Sequence, residues 1–132
     1  MEFKLESGLC REMTAVVKQE HTAQSLGSGG VAVLATPMLV ALIEGAAKDS
    51  VQSSLPDGWT TVGTRVNIEH LAATPVGMKV TARACLTEVD GRRLVFSVEA
   101  YDDKEKVGQG QHERFIVSSE RFESKAQAKA GQ

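Results

Sequence analysis

Residues 35–48 read ATPMLVALIEGAAK, and this stretch decides the fold. Thr36 and Pro37 make a favourable helix start, because a threonine side chain can cap an unpaired backbone N–H and proline at the first helical position loses no hydrogen bond. The apolar residues that follow have helical spacing and extend almost all the way round the helix: Met38, Leu39, Val40, Ala41, Leu42, Ile43, Ala46 and Ala47. The pattern therefore predicts a largely buried helix, which has ended by the turn at residues 56–58.

Alternating β-rich segments occupy most of the remaining chain. Four of them follow Trp59 and read TTVGTRVNIEHL (60–71), GMKVTARACLTEV (77–89), RRLVFSVEAY (92–101) and VGQGQHERFIV (107–117). Asp90 and Gly91 are a strong hairpin signal between two of these runs. Before the helix, residues 10–19 suit a strand and residues 21–30 a loop rich in Gly, Ser and Thr.

Together these elements predict an α+β fold in which one long central helix is wrapped by a curved antiparallel sheet. We expect residues 1–132 to form a single domain, with an N-terminal strand and loop in residues 1–30. The tail, residues 119–132, predicts a short polar helix followed by disorder. Because one sheet leaves an edge strand exposed, we expect pairing with a second copy of the chain.

Charge and cysteine spacing exclude several classes of protein. The 15 basic and 17 acidic residues give a net charge of −2, which offers no basis for binding nucleic acid or a membrane surface. The N-terminus MEFKLESGLC is interrupted by charges, unlike a signal peptide, and no later run approaches the ~18 apolar residues of a membrane span, so we expect a cytoplasmic protein. Cys10 and Cys85 lack CxxC spacing, which predicts two reduced thiols, no disulfide and no metal site.

Four segments also resemble one known family. ATPMLVALIEGAA (35–47), VGTRVNIEHLAATPVGMKV (62–80), DGRRLVFSVEAYD (90–102) and GQGQHERFIV (108–117) are similar to the fluoroacetyl-CoA thioesterase-like branch of the hot-dog acyl-CoA thioesterases. The resemblance covers residues of about 31–118, and its most specific motifs are H-x-A-A-T-P-x-G and G-x-G-x-H-E-R. It implies the hot-dog fold, in agreement with the helix and sheet predicted above.

The resemblance further implies a set of site residues. Members of the branch are homodimers that hydrolyse small acyl-CoA thioesters without a metal or other cofactor, using a Thr, a Glu, a His and a Gly backbone amide. The matching positions here are Thr36, Glu44, His70 and Gly63. One departure is the segment GSGGVAVL (27–34), since the specialised fluoroacetyl enzymes carry bulky aromatic residues just before the matching A-T pair.

Glu44 is the residue that most needs an explanation. A carboxylate on a buried helix costs several kcal/mol unless it is paired or hydrogen-bonded. Thioester hydrolysis would explain its presence, because Glu44 could orient the His70 imidazole, act as a base through water, or attack the acyl carbon directly. In the same reaction the Gly63 N–H could donate to the developing oxyanion.

Each of these assignments has a purely structural alternative. Thr36 could only cap the helix, Glu44 could be a partly exposed residue near the dimer edge, His70 could be a satisfied structural histidine, and Gly63 could mark a bulge. Two other groups of polar residues are predicted to be structural: His112 and Arg114 near the helix, and Arg92 and Arg93 in a solvated turn, although that turn could also meet the phosphates of coenzyme A.

The sequence therefore predicts an acyl-CoA thioesterase that acts on a short or medium acyl chain as a homodimer, or as a dimer of dimers. Two alternatives stay open at this point. A hot-dog hydratase or dehydratase would move a proton next to the acyl carbonyl, and a non-catalytic protein would bind an acyl-CoA without cleaving it.

Overall fold

A computed structural model describes residues 3–131, so Met1, Glu2 and Gln132 of the predicted terminal segments lie outside the described part. Five strands are present: β1 Cys10–Val16, β2 Trp59–His70, β3 Lys79–Asp90, β4 Arg93–Asp102 and β5 Lys106–Ser118. Three α-helices accompany them: α1 Ala23–Leu26, α2 Thr36–Gln52 and α3 Ser119–Ala130. A single 3₁₀ turn, Gln19–His21, lies between β1 and α1.

The strands form one antiparallel sheet in the order β1-β3-β4-β5-β2. Sequential hairpins join β3, β4 and β5, whereas β1 and β2 are the two edges. At the β3–β4 turn Gly91 has φ +61°, a conformation that suits glycine, as the hairpin signal predicted. The sheet is irregular where β2 bulges between Gly63 and Arg65.

Helix α2 covers one face of this sheet and packs its buried side chains into the core. Its buried apolar side chains face small and branched residues that alternate along β3, for example Val80, Ala82, Ala84 and Leu86. Phe96, Leu39 and Ile43 are among the largest fully buried side chains. Full burial of each such side chain stabilises the fold by roughly 1.5–3 kcal/mol. The predicted α+β architecture, with one long helix on a curved sheet, is confirmed.

The start of α2 differs from the prediction that Thr36 caps it. Ala35 is the N-cap residue and makes no side-chain cap, while Thr36 is the first helical residue. The Thr36 hydroxyl points instead to a residue of β2, as described below. The capping interpretation is therefore wrong, because a tertiary partner takes the hydroxyl that a local N–H would have used.

The prediction of two reduced cysteines is also wrong. Cys10 and Cys85 form a disulfide between β1 and β3. The antiparallel register places the two residues directly opposite each other, with their Cα atoms 4.1 Å apart, and this pairing is invisible to a search for CxxC motifs. The bond ties the edge strand β1 to the sheet.

The C-terminal segment is more ordered than predicted. Instead of a short helix followed by disorder, α3 runs from Ser119 to Ala130. None of its residues is buried, so the helix contributes little to the core. Among the described residues, no helix is both long enough and apolar enough to cross a membrane.

Candidate active site

Thr36 and His70 meet at the mouth of a cavity of about 380 Å³. The Thr36 Oγ1 lies 2.8 Å from the His70 Nδ1, which is a strong hydrogen-bond distance. Both side chains line the cavity together with apolar and small residues of α1 and of the loops before α2 and after β2: Ala23, Ser28, Val33, Leu34, Leu71, Ala72 and Ala73. Among the described residues, no Phe, Tyr or Trp side chain is part of this lining.

The elements around the cavity hold the pair in place. His70 is the last residue of β2 and turns towards α2, on the same face as Ile68. The loop that precedes α2 in the sequence is held by a backbone bridge between Val33 and Pro75. The fully buried Thr22 also holds it, since the Thr22 hydroxyl donates to the Gln19 carbonyl at 2.8 Å. These contacts hold the Thr36 hydroxyl and the His70 imidazole opposite each other.

Burial controls the chemistry of His70. Desolvation lowers the pKa of the imidazole from its usual value, and the backbone of Ala72 offsets part of this effect. The Nε2 atom is buried and makes no hydrogen bond to the described residues. A Thr36 hydroxyl that donates to Nδ1 requires the neutral tautomer with its proton on Nε2. The ring is thus prepared to accept a proton at Nδ1.

Glu44 lies elsewhere on α2, beside the bulge of β2. Its carboxylate is not buried as the apolar helix suggested, because 38% of the side chain is exposed. The Oε2 atom lies 3.6 Å from the Arg114 Nη1. Arg114 exposes only 6% of its surface and donates from Nε and Nη2 to the hydroxyl and carbonyl of Thr61, at 2.7 and 2.8 Å. Burial lowers the Arg114 pKa, and the Glu44 charge opposes that shift.

His112 completes this polar cluster. The imidazole is fully buried, its Nδ1–H donates to the Arg65 carbonyl at 2.8 Å, and its Nε2 accepts from the Arg114 Nη1 at 3.2 Å. Burial is the main reason why its pKa is lowered. The sequence predicts His112 and Arg114 to be structural residues near the helix, and they are also the groups that surround Glu44. Their alternation with Gly108 and Gly110 in the sequence was the available signal.

Gly63 is required by the close approach of Glu44. A Cβ atom at this position would collide with the Glu44 Oε2 and would lie 3.3 Å from the His112 Cε1. Position 63 also begins the predicted bulge of β2. The glycine therefore allows the carboxylate to lie directly against the strand.

The four predicted site residues thus form two separate pairs within one chain. Thr36 contacts His70, and Glu44 contacts Gly63. His70 follows Gly63 by seven positions along extended β2, which corresponds to about 23 Å. Glu44 follows Thr36 by eight positions along α2, or about 12 Å. One chain alone does not assemble the four residues.

A second, apolar cavity of about 220 Å³ lies between β1 and α2. It is lined mainly by Met13, Val16, Val17, Met38 and Leu42. Leu34 lines both cavities and forms the partition between them. Within residues 3–131, no group of three or more His, Cys, Asp or Glu side chains is arranged to hold a metal ion.

Comparison with known proteins identifies the family. A family model for the fluoroacetyl-CoA-specific thioesterases matches residues 17–120. A fluoroacetyl-CoA thioesterase from Streptantibioticus cattleyicolor is 39% identical over 97 residues, covering 74% of this chain and 70% of that protein. A solved fluoroacetyl-CoA thioesterase structure has a TM-score of 0.89 at 32% identity, with 96% of this chain and 98% of that chain covered.

A hot-dog-like protein from Thermanaerovibrio acidaminovorans has a TM-score of 0.85 at 26% identity, covering 95% of this chain and 93% of its own. The hot-dog fold implied by the sequence is confirmed. The family match begins at residue 17, whereas the resemblance seen in the sequence began near residue 31. The chain therefore belongs to the family of the fluoroacetyl-CoA-specific thioesterases.

Proposed function

We propose that the protein hydrolyses the thioester of a short or medium acyl-CoA, without a metal, to give the free acid and coenzyme A. The observation that carries the proposal is the contact between Thr36 and His70 in a cavity large enough for an acyl group. The family and its thioesterase relatives support thioester hydrolysis as the reaction.

The geometry suits proton removal from an attacking oxygen. His70 Nδ1 accepts the proton of the Thr36 hydroxyl, or of a water molecule that takes the place of this contact, as oxygen attacks the acyl carbon. The tetrahedral intermediate then expels the coenzyme A thiolate, which requires little assistance from an acid. Attack by water gives the free acid directly. Attack by the Thr36 hydroxyl leaves an acyl ester on Thr36, and after His70 has passed its proton to the thiolate it deprotonates a water molecule that hydrolyses this ester to the free acid. Because burial disfavours the imidazolium, His70 stays neutral at physiological pH and is available as the base.

Completion of the site requires a second chain. Strand β2 is a 12-residue edge strand, and residues 63–67 in its middle are exposed. If two copies pair through β2, antiparallel about a two-fold axis at Val66 and Asn67, the partner subunit's Gly63 lies beside His70. The partner subunit's Glu44 then lies next to the same thioester. This pairing also covers the exposed strand edge.

In this homodimer each of two equivalent sites draws on both chains. One chain supplies Thr36 and His70. Its partner supplies Glu44, as a carboxylate base or electrostatic group, and Gly63, whose backbone lies close to the thioester. Arg114 and His112 fix the position of Glu44. Pairing of such dimers into tetramers would leave this arrangement intact.

The cavity supports acyl groups longer than two carbons. No aromatic side chain narrows the space around Thr36 and His70, and residues 27–34 in front of the helix are small or aliphatic. Beyond Leu34 the apolar cavity next to Met38 and Leu42 could receive the end of a chain. We therefore do not expect selectivity for fluoroacetyl-CoA.

The cytoplasmic location predicted from the sequence is part of this proposal, since acyl-CoA esters are substrates of that compartment. The disulfide between Cys10 and Cys85 is the feature least typical of a reducing cytosol.

The test is release of free coenzyme A from a panel of acyl-CoA esters, followed with a thiol reagent. The wild type should cleave short and medium esters, and both Glu44→Ala and His70→Ala should lower kcat by about 10²–10⁴-fold. If the wild type cleaves no thioester, the proposal is wrong. Equal rates for the wild type and His70→Ala would remove the assigned base.

A further inference from the structure

A groove of about 200 Å³ lies at the end of the sheet opposite His70. It is formed by the start of β2, the end of β5, the β3–β4 turn and α3. We call it the basic groove and define it by six of its lining residues: Trp59, Arg92, Phe115, Arg121, Phe122 and Lys125. Three of these residues are cationic and three are aromatic. Among residues 3–131, no carboxylate is part of the lining.

The cations of the basic groove have no acidic partner in the part of the chain that the structure describes. Within residues 3–131, Arg92, Arg121 and Lys125 form no ion pair, whereas the adjacent Arg93 is tied to Glu88, Asp90 and Glu113. Arg92 is nevertheless held in position, because its guanidinium lies 5.1 Å from the centre of the Trp59 ring and 5.8 Å from that of Phe3. Two neighbouring arginines of one turn thus have different roles.

The aromatic residues of the basic groove offer exposed ring faces. Phe115 and Phe122 expose 41% and 46% of their surface. Phe122 belongs to α3, a helix with no buried residue, so the core does not explain its presence there. Exposed aromatic rings beside unpaired cations are suited to a ligand that combines a nucleobase with phosphates.

The position of the basic groove agrees with the geometry of the proposed dimer. Within one chain Trp59 lies 11 residues from His70 along β2, or about 36 Å. In the dimer the partner subunit's Gly63 lies beside His70, and the partner subunit's Trp59 is only four residues further along, about 13 Å. That distance is within the reach of the pantetheine arm that joins a thioester to its nucleotide.

We propose that the basic groove binds the adenosine 3′,5′-bisphosphate portion of coenzyme A, whose thioester lies in the site on the other chain. The phosphates contact Arg92, Arg121 and Lys125, and the adenine stacks on Phe122. The inference rests on the proposed function and on the proposed dimer.

The first test measures binding without any thioester. Adenosine 3′,5′-bisphosphate is titrated into the wild type by calorimetry at low salt, because salt screens exposed charges. The double variant Arg121→Ala/Lys125→Ala should bind at least about tenfold more weakly, since each lost charged contact is worth more than 1 kcal/mol. The control Arg83→Ala removes an exposed cation on β3, outside the basic groove, and should bind like the wild type.

The second test compares one acyl group on coenzyme A and on pantetheine. The wild type should have a kcat/KM at least about tenfold higher for the coenzyme A ester, and Arg121→Ala/Lys125→Ala should lose most of this preference. Melting temperatures verify that both proteins are folded. Phe122→Leu should lower the preference in the same direction.

Each outcome separates this inference from the proposed function. Equal binding of the bisphosphate by the wild type and the double variant would overturn the inference, as would an unchanged preference for the coenzyme A ester. If the wild type binds the bisphosphate and cleaves neither ester, the basic groove stands and hydrolysis fails. If the wild type cleaves both esters equally well, the proposed hydrolysis is supported and the proposed role of the basic groove is refuted.

Discussion

At the scale of single residues, burial gives His70 its chemical character. The ring lies at the end of a strand, its Nδ1 faces the Thr36 hydroxyl, and its Nε2 is shielded from water. Desolvation makes the imidazolium less stable than it is in water, so the neutral base persists at lower pH. One packing arrangement thereby sets both the orientation and the protonation state of the proposed base.

The pH dependence of turnover follows from the lowered pKa of His70. We expect kcat/KM to rise with pH through an apparent pKa below the usual value of about 6.5, and to be level by about pH 7. The measurement is coenzyme A release between pH 4.5 and 8, with the melting temperature recorded at each pH. An acidic limb with its midpoint at or above pH 6.5 would contradict a desolvated base.

His112 should make stability depend on pH. Its pKa is lowered in the folded protein, so its contribution is complete above the unfolded value of about 6.5 and is lost as the pH falls below it. Arg114, Glu44 and Glu113 are the charged groups that act on it. We expect the free energy of unfolding to fall between pH 7.5 and 5.5, and to fall less in His112→Gln. An equal loss in both proteins, measured by urea denaturation, would refute this.

Individual residues were predicted with uneven success, for a physical reason. The motifs pointed to Thr36, Glu44, His70 and Gly63, and all four make close contacts. The alternative that Thr36 only caps the helix was wrong, because local spacing describes only the helix itself and not the contact with His70. The contact between Arg114 and Glu44 depends on how β5 packs against α2, and no local pattern contains that information.

At the scale of elements, the close approach of α2 to β2 positions Glu44. Gly63→Ala should displace the carboxylate, since the new methyl group meets Glu44 Oε2 and the buried ring of His112. A displacement of about 1 Å in a catalytic group can lower a rate by about 100-fold, so we expect kcat to fall by at least tenfold. Steady-state kinetics and a thermal melt test this together. Wild-type kcat in a folded variant would contradict the assigned role of Gly63.

The disulfide should stabilise the attachment of β1 to β3. Breaking it removes the covalent link between Cys10 and Cys85, and a bond of this kind typically contributes about 2–4 kcal/mol. We expect dithiothreitol to lower the melting temperature of the wild type. The matched control, Cys10→Ser/Cys85→Ser, should melt at the lower temperature with or without reductant. No response of the wild type would show that the bond contributes nothing.

The helices and strands were predictable to a large extent, and their pairing was less so. Hydrophobic spacing indicated α2 and the strands, because each buries one continuous face. The register between paired strands depends on irregularities such as the bulge of β2, and on contacts such as the one between Cys10 and Cys85. These features join distant parts of the chain, so local spacing does not predict them. The order of α3 was missed because its sequence is polar and it has no buried face.

For the molecule as a whole, we propose that catalysis belongs to the dimer. Thr36 contacts His70 at the end of β2, and Glu44 contacts Gly63, which lies about 23 Å from His70 along the same strand. In the proposed dimer, two-fold pairing through β2 brings the two pairs together from different chains. A monomer would have the right residues at the wrong separation.

The most direct measurement mixes two inactive variants, Glu44→Ala and His70→Ala, refolds them together and follows release of coenzyme A. A mixed dimer contains one site with both defects and one site with none. Random pairing should therefore restore about a quarter of the wild-type activity. Each variant refolded alone is the control and should stay inactive. If the mixture is no more active than its components, the four residues do not form a site between two chains.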